Sequence, residues 1–144
     1  MSRRSADPKP PPLDAAVSAR MRRQKTSGTK PEIEIRRRLH AAGLRYRLRH
    51  SGLGCRPDII LTRARIAVFI DGCFWHGCPD HGSIPRNNRR WWSDKLAENQ
   101  RRDRRNDHHL AENGWLVMRY WEHEDPDLVA EVIVGQWRRR TGRK

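Results

Sequence analysis

Cysteine is scarce in this chain. Three thiols in 144 residues, Cys55, Cys73 and Cys78, are too few for a disulfide scaffold. Two of them stand close to histidines, which points instead to metal binding in a reducing compartment. Long hydrophobic runs are missing as well. No stretch of eighteen apolar residues occurs, so no transmembrane helix and no membrane contact are expected. The N-terminus is rich in Arg and Pro with no apolar centre, so it is not expected to be a signal peptide, and cytoplasmic residence is the expectation. Apolar residues reach only 35 %, low for a globular chain. The shortfall falls on a polar N-terminal arm and on Arg-rich surfaces. Acidic residues are few too: 17 against 31 basic ones, for a net charge of +14. Such a field attracts polyanions, and nucleic acid is the commonest partner for it. Arg outnumbers Lys, which suits bidentate phosphate contacts. A GC-rich genome would account for Arg over Lys, but not for the surplus of positive charge.

The length suits one domain with one core, and no internal repeat is visible. Residues 1–14, with Pro8, Pro10, Pro11 and Pro12, read as a disordered arm. Residues 15–28 hold a short basic helix and a linker, and 29–140 form the folded domain. Thr29 and Glu32 have the spacing of a capping box, Pro31 fits a first helical turn and Gly43 a stop. Ile33, Leu39 and Ala42 then supply that helix's apolar face. Leu44 to Leu48 alternates apolar and basic residues, as an exposed or edge strand does. Two buried strands follow, Ile59-Ile60-Leu61 and Ile66-Ala67-Val68-Phe69-Ile70, joined by the turn Thr62–Arg65 as a hairpin. Trp91 to Asn113 reads as one long, highly charged helix ended by Gly114. Trp115 to Trp121 is another strand. Asp125-Pro126 starts a last helix with Leu128, Val132 and Trp137 on its buried side, and Trp115, Trp121 and Trp137 are assigned to the core.

The chemistry concentrates after the second strand of the hairpin. Phe69-Ile70-Asp71-Gly72-Cys73-Phe74-Trp75-His76-Gly77-Cys78-Pro79-Asp80-His81 packs two thiols, two imidazoles and two carboxylates behind a rigid strand. Asp58 opens a buried run, where a lone carboxylate is costly unless paired or bound to metal. The hairpin brings Asp58 and Asp71 toward one edge of the sheet. Two readings follow: a Mg²⁺ site, since Mg²⁺ takes few protein oxygens, or two turn residues. Cys73, Cys78, His81 and His123 make a tetrahedral Zn²⁺ set, with Asp80 as the alternative to His81. The competing reading is two buried thiols and surface histidines.

These residues resemble the very short patch repair (Vsr) family of DNA mismatch endonucleases. The matching pieces are Thr29-Lys30-Pro31-Glu32, Arg56-Pro57-Asp58, Asp71 through Pro79, Asn99 with Arg102-Asp103, and Gly114-Trp115 through Trp121-Glu122-His123. They follow the family's order over roughly residues 20 to 138. The Asp-Gly-Cys-Phe-Trp-His-Gly-Cys run is the specific one. The resemblance implies an α/β restriction-endonuclease-like fold, with a central mixed sheet flanked by helices and a structural zinc. It implies Asp58 as principal Mg²⁺ ligand with the Ile70 carbonyl beside it, His76 as general acid or base, and Glu32 holding a metal-bound water. His76 as a zinc ligand and Glu32 as a plain capping residue are the alternatives. No Lys follows Asp71, so the acidic-X-Lys mechanism of the wider fold is not expected. Some members carry His at position 71; Asp71 either ligates the metal or orients His76.

The resemblance also implies DNA contacts. Phe74 and Trp75 act as wedges in the base stack, against the alternative of a local hydrophobic lid. Met21, in the 15–28 segment, inserts from the opposite groove. Asn99 and Asp103 support the site. The long helix's Arg residues are a solvated face with some phosphate contacts, and Trp91 and Trp92 pack or line the cleft. The implied activity is nicking 5′ of T in T:G mismatches that arise from 5-methylcytosine deamination. The implied partner is double-stranded DNA, met by a monomer, with a functional link to a cytosine-5 DNA methyltransferase. The rivals are a restriction-type or general nicking enzyme of this fold and a non-catalytic zinc-stabilised DNA-binding protein. Cys55 receives no role.

Overall fold

Where the chain is most apolar it builds a sheet. The computed structural model describes residues 29–72 and 86–143. Strand β1 (Ile59–Leu61) pairs antiparallel with β2 (Ile66–Asp71), Ile59 opposite Val68, so the expected hairpin forms. Its turn closes through a bond from the Arg65 N–H to the Thr62 carbonyl, with Arg65 at φ 54°. Strand β3 (Leu116–Trp121) lies on the other side of β2 and runs parallel to it, Ile66 opposite Leu116 and Asp71 opposite Trp121. The order is β1-β2-β3, a mixed sheet as expected. Parallel pairing needs a long crossover, and helix α2 (Arg89–Glu112) lies within it.

The sheet is covered on both faces. Ile59, Leu61, Ile66, Val68 and Met118 pack with Ile35 and Leu39 of helix α1 (Lys30–Ala41) and with Val129, Ala130 and Ile133 of helix α3 (Pro126–Thr141). Strand alternation sends Ile60, Ala67 and Phe69 to the other side. There they meet Leu53 and Leu110 of α2. Helices α1 and α3 also touch each other, where Arg38 donates to the Asp127 carboxylate. Among the described residues, no helix is long and apolar enough to cross a membrane.

Several local expectations change. Residues 44–48 do not form a strand: Arg47 makes one isolated antiparallel bridge to Ile60, with two 2.8 Å bonds. Thr29 is the N-cap of α1, yet its side chain makes no cap bond. Glu32 is 2 % exposed and paired with Arg36, so α1 turns Glu32, Ile35 and Leu39 inward and leaves Ile33 exposed. Helix α3 is likewise turned by about one residue. Val129, Ala130 and Ile133 are buried, whereas Leu128 and Val132 face solvent. Trp115, Trp121 and Trp137 are half-buried at the margins of the core rather than inside it. The stops hold: Gly43 (φ 91°) and Gly114 (φ 84°) end α1 and α2 in the left-handed conformation that glycine adopts without penalty. The predicted arm and basic helix, with Met21, lie outside the described residues.

Candidate active site

The site grows from the ends of the hairpin. Pro57 is buried and ends the approach to β1. Asp58 then docks on β2 twice: its N–H donates to the Val68 carbonyl at 2.9 Å, and its Oδ2 accepts from the Ile70 N–H at 2.7 Å. In an extended strand the N–H and C=O of one residue face the same neighbour. The Ile70 carbonyl therefore looks toward the edge where Asp58 stands. A carboxylate and a backbone carbonyl side by side form a sparse, all-oxygen donor set. That is the set Mg²⁺ accepts while keeping waters and substrate phosphate, so these residues fit the ion.

Asp71 closes β2 and is 8 % exposed. Its two oxygens accept from Arg119 Nη1 at 3.0 and 3.1 Å. Arg119, on β3, also gives its Nε to both oxygens of Asp107 at 2.8 Å, while its Nη2 lies 2.7 Å from Asp107 and 3.9 Å from Asp103. The guanidinium stands 4.0 Å above the ring of Phe69. Burial works against its charge. The hydrogen bond to Asp107 and the charges of Asp71, Asp107 and Asp103 outweigh it and raise the pKa above the ordinary guanidinium value. Three carboxylates thus gather around one fixed cation. Among the described residues, no cluster of three or more His, Cys, Asp or Glu is set to hold a metal ion.

Asn99 and Asp103 lie on the inward stripe of α2. Trp92, Leu96, Asn99 and Leu110 are buried at helical spacing, and Asp103 falls between them with 15 % of its side chain exposed. The stripe is apolar at its ends and polar in the middle, where Arg119 meets it. Trp91 stacks edge-on against Trp92, centroids 4.8 Å apart; Trp92 is buried and Trp91 half-buried. The Arg119 and Asp107 pair was not foreseen. Its signal was a lone Arg inside the apolar run of β3.

Cys73, Phe74, Trp75, His76, Cys78, Asp80 and His81 lie outside the described residues. His123 is described: it is exposed in the turn after β3. The Glu122 N–H donates to the Asp71 carbonyl at 3.0 Å, so the backbones leaving β2 and β3 stay side by side. His123 is two residues beyond Trp121, whose register partner Asp71 is two residues before Cys73. Cys55 is a free thiol packed against the α2-side cluster, and burial raises its pKa.

Known proteins are similar to this chain in sequence. The family described as DNA mismatch endonuclease Vsr matches residues 14–80. The chain is 48 % identical over 130 residues to the type II nicking enzyme V.NaeI of Lentzea aerocolonigenes, covering 86 % of this chain and 78 % of that one. It is 38 % identical over 111 residues to the type II nicking enzyme V.XorIIP of Xanthomonas oryzae pv. oryzae, covering 76 % and 82 %. The DNA mismatch endonuclease Vsr of Escherichia coli (strain K12) is 34 % identical over 109 residues, covering 75 % of this chain and 70 % of its own. Similarity at this level, spread from α1 through β3, means that the chain belongs to the Vsr family of DNA mismatch endonucleases.

Proposed function

We propose that this protein nicks one strand of duplex DNA 5′ of the T in a T:G mismatch and so initiates short-patch repair of deaminated 5-methylcytosine. The observation that carries the reading is Asp58, docked on Ile70 at the sheet edge from which the Asp-Gly-Cys-Phe-Trp-His run departs. Bound Mg²⁺ would neutralise the scissile phosphate and stabilise the leaving oxygen. Asp58 and the Ile70 carbonyl would hold it. His76 would exchange the proton of the attacking water, a role suited to an imidazole. Glu32, buried beside Arg36, would order water on the α1 side. The products would be a 5′-phosphate and a 3′-hydroxyl, and one copy of the chain suffices for one cut.

Recognition rests on charge and wedges. The surplus of +14 supports binding to the phosphate backbone. Phe74, Trp75 and Met21 would enter the stack, and a mismatched step is cheaper to open than a matched one. Asn99 and Asp103 would act in support from the inward stripe of α2. Cys73, Cys78, His81 and His123 would bind a structural Zn²⁺, with Asp80 as the substitute for His81. The parallel exit of β2 and β3 supports the pairing of Cys73 with His123. A cytosine-5 DNA methyltransferase would generate the lesion, and residence with the DNA in the cytoplasm follows.

A nicking assay on duplexes that carry T:G, U:G or C:G at one position tests this reading. Nicking of the T strand at T:G, abolished by EDTA and by Asp58→Ala, is expected. Equal cutting of C:G would instead make the protein a general or restriction-type nicking enzyme. Tight, salt-sensitive binding without any cutting would make it a DNA-binding module.

A further inference from the structure

Arg119 sits where an apolar side chain would serve a strand best. Its register partner is Phe69, and its neighbours Met118 and Tyr120 pack toward α1 and α3. A guanidinium that is even partly buried is costly unless its donors are met. Here they are met by two elements at once. The end of β2 supplies Asp71, the middle of β2 supplies the ring of Phe69, and α2 supplies Asp107 and the Asp103 carbonyl at 3.4 Å. The planar fork fixes these partners in direction as well as distance, which a lysine cannot do. Asp71 directly follows Ile70, whose N–H holds Asp58. A hand on Asp71 is therefore a hand on the strand end that carries the site.

The same contacts decide what Asp71 does. Both of its oxygens face Arg119, and Asp103 and Asp107 share that cation. We infer that Arg119 is a positioning residue for the nuclease reaction. It commits the Asp71 carboxylate, fixes the end of β2 against α2, and keeps this acidic group from competing with Asp58 as a metal donor. The inference rests on the nuclease reading above and assigns Asp71 a structural partner in place of the metal.

The test compares Arg119→Met, Arg119→Lys, Asp71→Asn and the Arg119→Met/Asp71→Asn double variant with the wild type. A misplacement of about 1 Å can cost roughly 100-fold in rate. Arg119→Met should accordingly lower kcat by about 10- to 100-fold while leaving KM for DNA within about twofold. Its Mg²⁺ half-saturation should rise about 10-fold, as for loss of a partner behind a metal ligand. Arg119→Lys should recover little of this. The double variant should be no worse than Arg119→Met, because the two residues act as one unit. Losses that multiply in the double variant, or wild-type kinetics in Arg119→Met, would overturn the inference. Where Arg119→Met fails to fold, Asp71→Asn and Arg119→Lys carry the same comparison. Amide exchange without DNA separates this from the functional reading: Arg119→Met should expose the Ile70 N–H about 10-fold while Ala67 stays protected. Unchanged exchange at Ile70 refutes the positioning role. A wild type that nicks nothing refutes the nuclease reading, and the exchange result then still decides whether Arg119 holds the strand end.

Discussion

Helix α3 offers two apolar stripes, and the structure chooses between them. Ile133 is fully buried between the sheet and α1, whereas its neighbour Val132 is 50 % exposed. Ile133→Ala removes three carbons, worth ~0.8 kcal/mol each in transfer alone. The unfilled cavity adds to this, for a loss of about 3–4 kcal/mol. At about 4 °C per kcal/mol for a domain of this size, the melting point should fall by roughly 12–16 °C. Val132→Ala removes two carbons that water already reaches, and Ala is the better helix former by about 0.5 kcal/mol. Its stability should stay within about 0.5 kcal/mol of the wild type. Urea titrations followed by circular dichroism measure both, with equal slopes required for the comparison. A larger loss in Val132→Ala than in Ile133→Ala would mean that α3 presents the other stripe to the sheet, and the packing described above would be wrong.

Two more outcomes are expected. Burial raises the pKa of Cys55. Its stabilising contribution is present below the unfolded thiol pKa and is lost as pH rises through the folded value; alkylation near pH 8 should label it more slowly than a free cysteine, and equal labelling in a mass-spectrometric time course would contradict its packing. The purified chain should carry about one zinc per molecule by atomic emission, and His123→Ala should lose it and melt lower; full zinc occupancy in that variant would remove His123 from the ligand set.

The sheet was legible because its strands are short, apolar and β-branched, with a four-residue turn between β1 and β2. Asp58 was legible because a carboxylate directly before a buried run demands an explanation. The helix faces were not. On α1 the inward stripe includes the Glu32 and Arg36 pair, so counting apolar residues alone turns the helix toward Ile33. On α3 both stripes are apolar, and only the partner surfaces pick Ile133 over Val132. The Arg119 cluster escaped for a different reason: its hydrogen-bond partners lie 12 to 48 residues away in sequence. The helix stripe from Trp92 to Leu110 held half of the signal, an apolar face interrupted by Asn99 and Asp103.

Helix α2 is longer than the strand it leans on. At ~1.5 Å per residue its 24 residues span roughly 36 Å, against roughly 20 Å for the six residues of β3. Leu110 sits near the start of β3, and Asp103 and Asp107 meet Arg119 near its far end, so the helix runs antiparallel to the strand. The excess, from Arg89 to about Glu98, outruns the strand yet stays covered along one stripe, where Trp92 and Leu96 are buried, while Arg89 and Arg90 are exposed. At ~1.5 Å per residue, Arg90 stands roughly 20 Å along the helix from Asp103. Helix length therefore sets how far this exposed charge lies from the Arg119 clamp, and deleting a whole turn would move Trp92 and Leu96 out of their cover as well.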